Sequence, residues 1–219
     1  MGHMSLPASL LRDDQWKTLD ALVARVDEDR WLSSRYAPMR ERRALIALYA
    51  LNYELVRVPK VVSEPTLGAI RYQWWREAIA EIAAGEPVRR HDGARAVAET
   101  VAAGQLKAEA LQRLVDAHED AFEQKDRTRE PETLLMAMAA GIFARAHGWG
   151  EHIQAVAPFF AATRRGDSRE IGPIVAPAPA AIRPAVAHAR LRWSYAKTAG
   201  PGRMARRIVI FRAMLRGRV

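Results

Sequence analysis

Apolar residues recur along most of this chain at intervals of three and four, the spacing that gathers them on one face of an α-helix. In the first helical pattern the stripe is Trp16, Leu19, Val23 and Val26, with Asp13 or Asp14 placed to cap it. The acidic run Asp27-Glu28-Asp29 then meets Arg30, and RWLSSRYAP leads to Pro38. From Arg40 to Val58 the pattern changes. Its middle, ALIALYAL, is apolar on every side, and a helix without a polar face belongs at the centre of a helical bundle. Pro59 ends or kinks it. Ser63-Glu64-Pro65 is a start signal with Ser63 as N-cap, and the next helix aligns Leu67, Ile70, Trp74, Ala78 and Ile82 as one stripe, ending at Gly85. Further helical patterns cover Ala94–Ala103, Ala108–Lys125, Pro131–His147 and Glu151–Arg165, punctuated by Gly104, Gly148 and Gly166. Pro173, Pro177, Pro179 and Pro184 keep the stretch from Gly172 to Pro184 from being helical throughout. Two last helices, Ala185–Thr198 and Arg203–Arg216, flank Gly200-Pro201-Gly202. With no alternating β-branched run and no internal repeat, the expected fold is all-α, a single-domain helical bundle.

Composition narrows this picture modestly. A chain of 219 residues with 49% hydrophobic and 27% charged residues is long enough for one real core and is not disordered in character. The absence of cysteine excludes disulfides, thiolate metal sites and a cysteine nucleophile. No apolar run approaches the roughly 20 residues of a membrane span. The opening MGHM reads as a vector-derived scar, which leaves residues 5–219 as the domain. Net charge is +9, and a field of that sign attracts nucleic acid, anionic lipid or diphosphate. Much of the excess lies in RRIVIFRAMLRGRV, a basic amphipathic pattern suited either to packing on the core or to peripheral contact with an anionic membrane. The aromatics sit in apolar stripes and not among the basic clusters, so a nucleic-acid stacking platform is not expected. A cytoplasmic location, with peripheral contact on the inner membrane, fits these properties.

Few constellations carry obvious chemistry. Asp116 and Asp120 lie one turn apart, as a Mg²⁺-diphosphate site would want, and Glu119 with Glu123 forms a second such pair. Such pairs are also common on solvated helix faces, and the stripe of Leu111, Leu114, Val115 and Phe122 takes His118 into its edge. His118, His147, His152 and His188 have no metal-site spacing, and there is no GxSxG, P-loop or GxGxxG. Trp74 and Trp75 point about 100° apart on their helix, so they either fill a core between several helices or place one indole on an apolar cavity near Arg71 or Arg76.

Three blocks of sequence resemble the squalene/phytoene synthase family. They are Asp27, Asp29 and Arg30; Pro38 to Leu55, P-x-x-x-R-R-A-L-x-A-L-Y-A-x-N-x-E-L; and Val62 to Ile79, with Q-W-W-R-E-A-I. LQRLVDAHED is similar to a further family helix, D-A-R-x-x-D, which on that likeness is structural. The resemblance implies an isoprenoid-synthase-type helical bundle around an apolar cavity. It also implies head-to-head condensation of two prenyl diphosphates, assisted by Mg²⁺ on two D-x-x-x-D motifs. Here the first motif's acids fall at Val56 and Lys60, and its preceding Arg falls at Tyr53. The second motif's helix, around Ala155–Arg165, offers only Asp167 beyond its end, and the Pro/Ala-rich loop that follows makes the C-terminal half look truncated. Within the family, ALYALNYELVRV and VSEPTLGAIRYQWW most resemble the complex I assembly factor 6 branch, which implies a catalytically silent role in respiratory complex I biogenesis.

Three readings follow. The first is a silent assembly or membrane-associated binding factor with no cofactor, whose client is a respiratory-complex subunit or another protein. The second is an active prenyltransferase requiring Mg²⁺ on Asp27, Asp29, Asp116 and Asp120. The third is a metal-free binder of a prenyl diphosphate or anionic lipid, with Tyr53, Arg57, Lys60, Arg71, Trp74, Trp75 and Arg76 as ligand-binding candidates.

Overall fold

The computed structural model describes residues 10–62, 64–198 and 200–219. The MGHM start and the Ser63 cap lie outside these. Among the described residues every regular element is helical, as the sequence pattern predicts.

Helix α1 (Asp13–Val26) is capped at Arg12 rather than at either aspartate. Asp13 and Asp14 instead occupy its first turn, where negative charge meets the positive end of the helix dipole, and Gln15 Oε1 accepts from the Arg12 N–H at 3.0 Å. Helix α2 (Glu28–Ser34) is short, and the Asp27 side chain caps it by accepting from the Arg30 N–H. Helix α3 (Met39–Val56) is the predicted central helix, buried without interruption from Ala44 to Leu51. It stops two residues short of the expected Val58. Pro59 does not end it but opens the short α4 (Val58–Val61), in whose first turn its missing amide hydrogen costs nothing.

Helix α5 (Pro65–Ala84) corrects the sequence reading. Its N-cap is Glu64, and its core face carries Gly68, Tyr72, Trp75, Ala78 and Ile79. Of the expected stripe only Ala78 is buried, whereas Leu67 and Ile70 are 49% and 59% exposed. The helix has two apolar stripes about 100° apart, and packing against α7 selects between them. Gly68 lets Phe122 approach so closely that a Cβ there would fall 2.3 Å from its ring, and only one rotation of α5 brings that glycine inward. Gly85, with φ +75°, closes the helix in the left-handed conformation.

Helices α6 (Asp92–Ala102), α7 (Ala108–Glu123), α8 (Glu132–Gly141) and α9 (Gly150–Arg165) follow in the expected order, although α8 stops at Gly141 rather than His147. The sequence pattern next predicts one helix over Ala185–Thr198. The chain instead forms 3₁₀ turns at Ala180–Ile182 and Ala187–Leu191, alternating with α10 (Arg183–Val186) and α11 (Arg192–Tyr195). Arg192 accounts for the tight winding: fully buried, it donates to the carbonyls of Ile171, Ala189 and Pro173 at 2.6, 3.0 and 3.2 Å and to the Val219 oxygen at 3.2 Å. Helix α12 (Arg203–Arg216) ends at Gly217, with φ +67°. Around α3 pack α1, α2, α6, α7 and α8, while α5 lies on α6 and α7, and α9 lies on α8 and α11. One continuous apolar core runs through all of them. No helix among the described residues is long and apolar enough to cross a membrane.

Candidate functional site

The second half of α3 breaks the apolar character of its first half along one line. Tyr49, Asn52, Tyr53 and Val56 recur at helical spacing and face a cavity of about 310 Å³, and Lys60 of α4 continues the line. Opposite them lie Val26 of α1, Asp27 and Arg30 at the start of α2, His118 of α7, Glu132 and Leu135 of α8, and Ala161, Arg164 and Arg165 of α9. Arg127 and Glu130 enter from the α7–α8 connection. Five basic and three acidic side chains therefore line one small space.

The acids are all engaged. Arg30, only 3% exposed, pairs with Asp27 and holds Glu132 at 2.5–2.6 Å, which ties α2 to α8. Arg164 reaches Asp27 at 3.0 Å and Asp29 at 3.5 Å, which brings in α9. Glu130 lies 3.2 Å from Arg127 and 3.8 Å from Arg165. Behind the cavity, in a groove between α2 and the C-terminal helices, the Tyr195 hydroxyl donates to Asp29 at 2.6 Å and Arg206 meets Glu28 at 2.7 Å. Burial opposes the charge on Asp27, but Arg164 and Arg30 override it and hold the carboxyl well below the usual carboxylate range. Burial raises Asp29 despite Arg164 and the Tyr195 hydrogen bond. Burial, reinforced by Arg30, depresses His118 to about 3, so its ring is neutral and its Nε2 donates to Asn52 Oδ1 at 3.0 Å. Lys60 is exposed and makes no ion pair among the described residues.

A second compartment of about 320 Å³ adjoins the first. Leu55, Val56, Pro59, Val62, Tyr72 and Phe122 make it largely apolar, and it shares Val56, His118, Arg127 and Glu130 with the polar cavity. The two together form a cleft with a cationic end and a greasy end.

Of the ligand-binding candidates, Tyr53 and Lys60 line this cleft. Arg57 lies just outside, with its guanidinium 5.6 Å from the Tyr53 ring centre and 3.3 Å from Glu54. The other four are elsewhere, because α5 presents its Gly68–Tyr72 face to the cleft and carries them around its other sides. Arg71 is exposed. Trp74 and Trp75 pack edge to face at 4.9 Å, both against His91, with Arg89 over Trp74. Arg76 is clasped by Asp116 at 2.7 Å and by Glu119. Asp116 and Asp120 are exposed on α7, outside both compartments, whereas Asp27 lines the cavity and Asp29 the groove behind it. Among the described residues, no three His, Asp or Glu side chains come together in a group able to hold a metal ion. The sequence reading missed Arg30, Arg127, Glu130, Glu132, Arg164 and Arg165 as cavity residues. The legible signal was the polar line Tyr49, Asn52, Tyr53 on an otherwise apolar helix.

Comparison with known proteins fits this architecture. The squalene/phytoene synthase family model matches residues 23–136, which include the cavity-lining parts of α3, α4 and α7. Human complex I assembly factor 6, "NADH dehydrogenase (ubiquinone) complex I, assembly factor 6", is 35% identical over 66 residues, 30% of this chain and 20% of that protein. Its rat and bovine counterparts are 36% and 33% identical over the same length and shares. The match thus spans about a fifth of the length of these relatives. No solved structure matches the chain. With just over half of its residues under the family model, and with an all-α bundle whose central helix opens onto a cleft, the chain belongs to the squalene/phytoene synthase family.

Proposed function

We propose that this chain is a catalytically silent member of its family that acts as an assembly factor in the maturation of a respiratory NADH dehydrogenase. The donor set of the cavity carries this reading. Head-to-head condensation needs cations held beside a departing diphosphate, and Mg²⁺ is held by free carboxylates. On the family resemblance the first motif's acids fall at Val56 and Lys60, the opposite wall presents Arg164 and Arg165, and Asp27 and Glu132 are already neutralised by Arg30. Mg²⁺ does not fit such a lining, since Lys60 would repel it and no unpaired acid is left to ligate it. The relatives named as complex I assembly factors support the choice of client, and the basic surface is consistent with work beside a membrane. The test has two arms. Purified protein with Mg²⁺ and farnesyl or geranylgeranyl diphosphate should release no head-to-head product, and deletion in the native host should lower NADH dehydrogenase activity in membranes. Product formation, or full dehydrogenase activity in the deletion strain, would overturn the proposal.

The joined compartments favour a second reading, in which the cleft binds an amphipathic anion without metal. Lys60, Arg127 and Arg165 would meet the anionic head, and Val62, Tyr72 and Phe122 the apolar chain. A ligand at 100 times its Kd should stabilise the fold by about 2.7 kcal/mol. A flat thermal-shift response to prenyl diphosphates and anionic lipids would remove this reading.

A further inference from the structure

Helix α12 is apolar on two opposite faces. Inward, Ile210 and Ala213 are buried against the Ala187–Leu191 turn and α10. Outward, Met204, Ile208, Phe211 and Leu215 follow one another at spacings of four, three and four and are 65, 44, 49 and 63% exposed. An edge helix of a bundle ordinarily turns polar residues outward. Here the outward centre is a continuous apolar stripe, extended by the exposed Tyr36, whose ring centre is 6.4 Å from that of Phe211.

The surroundings of the stripe indicate what covers it. Arg207 and Arg212 lie about 60–80° to either side, with Arg203 and Arg216 further round, at about 100° per residue. All four are exposed, and no Asp or Glu occurs anywhere from residue 171 to 219. Arg203 has Glu28 within 3.6 Å, whereas Arg207 and Arg212 make no ion pair among the described residues, and an apolar ridge between two such cationic flanks is complementary to acyl chains beneath a layer of phosphates. The ridge is also held in place before any contact. Arg206, on the inward side, is fixed by Glu28 at 2.7 Å, and Arg183 donates to the carbonyls of Met214 and Leu215 at 3.0 and 3.1 Å. The helix therefore cannot easily roll its apolar side inward, and binding requires no coil-to-helix step.

We infer that the outer face of α12 is a peripheral docking surface for an anionic lipid bilayer, with Met204, Ile208, Phe211 and Leu215 entering the headgroup boundary and Arg207 and Arg212 on lipid phosphates. This surface lies apart from the cleft and holds whichever reading of the cleft is right. The experiment is co-sedimentation of the full chain with vesicles of phosphatidylcholine alone or with 30 mol% (about one lipid in three, to set a strong surface potential) phosphatidylglycerol. Binding should be at least about tenfold tighter to the anionic vesicles and should weaken as salt rises. Ile208→Ser with Phe211→Ser should lose binding at every salt concentration, and Arg207→Glu with Arg212→Glu should lose it chiefly at low salt, each with an unchanged melting temperature. Lys107→Glu with Arg113→Glu, which changes net charge equally on another face, should bind as the parent does. Equal loss in that control, indifference to phosphatidylglycerol, or a dimer that Phe211→Ser dissociates without any vesicle binding would each overturn the inference. A variant with a lowered melting temperature is replaced by Phe211→Gln, judged by the same criteria.

Discussion

At the scale of single residues, the consequential side chains are polar groups placed where water is absent. His118 and His188 are buried beside Arg30, and both are pushed below the ordinary histidine range, first by burial and then by that charge. Each must shed its proton for the chain to fold. The unfolded chain takes up those protons near pH 6.5, whereas the native chain refuses the one on His118 until about pH 3. The unfolded state therefore binds more protons throughout this window, so stability is full above about pH 6.5 and falls as pH drops, by up to about 1.4 kcal/mol per unit for each histidine. Urea denaturation at pH 7.5 and pH 5 measures the effect. His118→Gln, which can keep the Asn52 hydrogen bond, should lose about 2 kcal/mol less than the parent between those two values. An identical loss in the variant would mean that His118 contributes nothing to the slope. His118 shows in the sequence only as the edge of the apolar stripe of its helix, and His188 has no spacing that pairs it with anything. Asn52, by contrast, is visible as a polar break in an apolar helix.

Among the elements, the seven-residue α2 joins the molecule together. Glu28 faces α12, Asp29 faces α9 and α11, and Arg30 faces α8, each through an ion pair or hydrogen bond. Arg30 is the member without slack, since it is enclosed between Asp27 and Glu132. Removing one partner of a buried pair leaves the other charged and dry. Arg30→Ala should thus destabilise by about 3–5 kcal/mol, and Arg30→Leu combined with Glu132→Leu should recover a large part of that loss. Chemical denaturation of both variants checks it, and a double variant no better than the single one would show that the pair is not the cause. This hub was only half legible. The sequence displays Asp27, Asp29 and Arg30 as a cluster, but their partners come from residues 132 to 206, and no local pattern encodes a pairing over such a distance. Helix α5 illustrates a different limit. Its two apolar stripes are equivalent on a helical wheel, and only the meeting of Gly68 with Phe122 decides between them.

Across the whole molecule, the fold class, the order of the long helices and the central place of α3 were readable, because each rests on periodicity within a single segment. The broken helices from 180 to 195 were not, because they depend on Arg192 finding distant carbonyls. Val56 and Lys60, singled out through the family resemblance, do line the cleft, but its cationic character was not readable, because Arg127, Arg164 and Arg165 come from other elements. The enclosure of α3 has a consequence for motion as well. From Ala44 to Leu51 every residue is buried, enclosed by neighbouring helices except where Tyr49 meets the cleft. The amide hydrogens of this stretch therefore have no route to water through local fraying and exchange only when the surrounding bundle comes apart. In native-state deuterium exchange these eight residues should be the last to label, on the time course of global opening, and should mark the most persistent part of the chain.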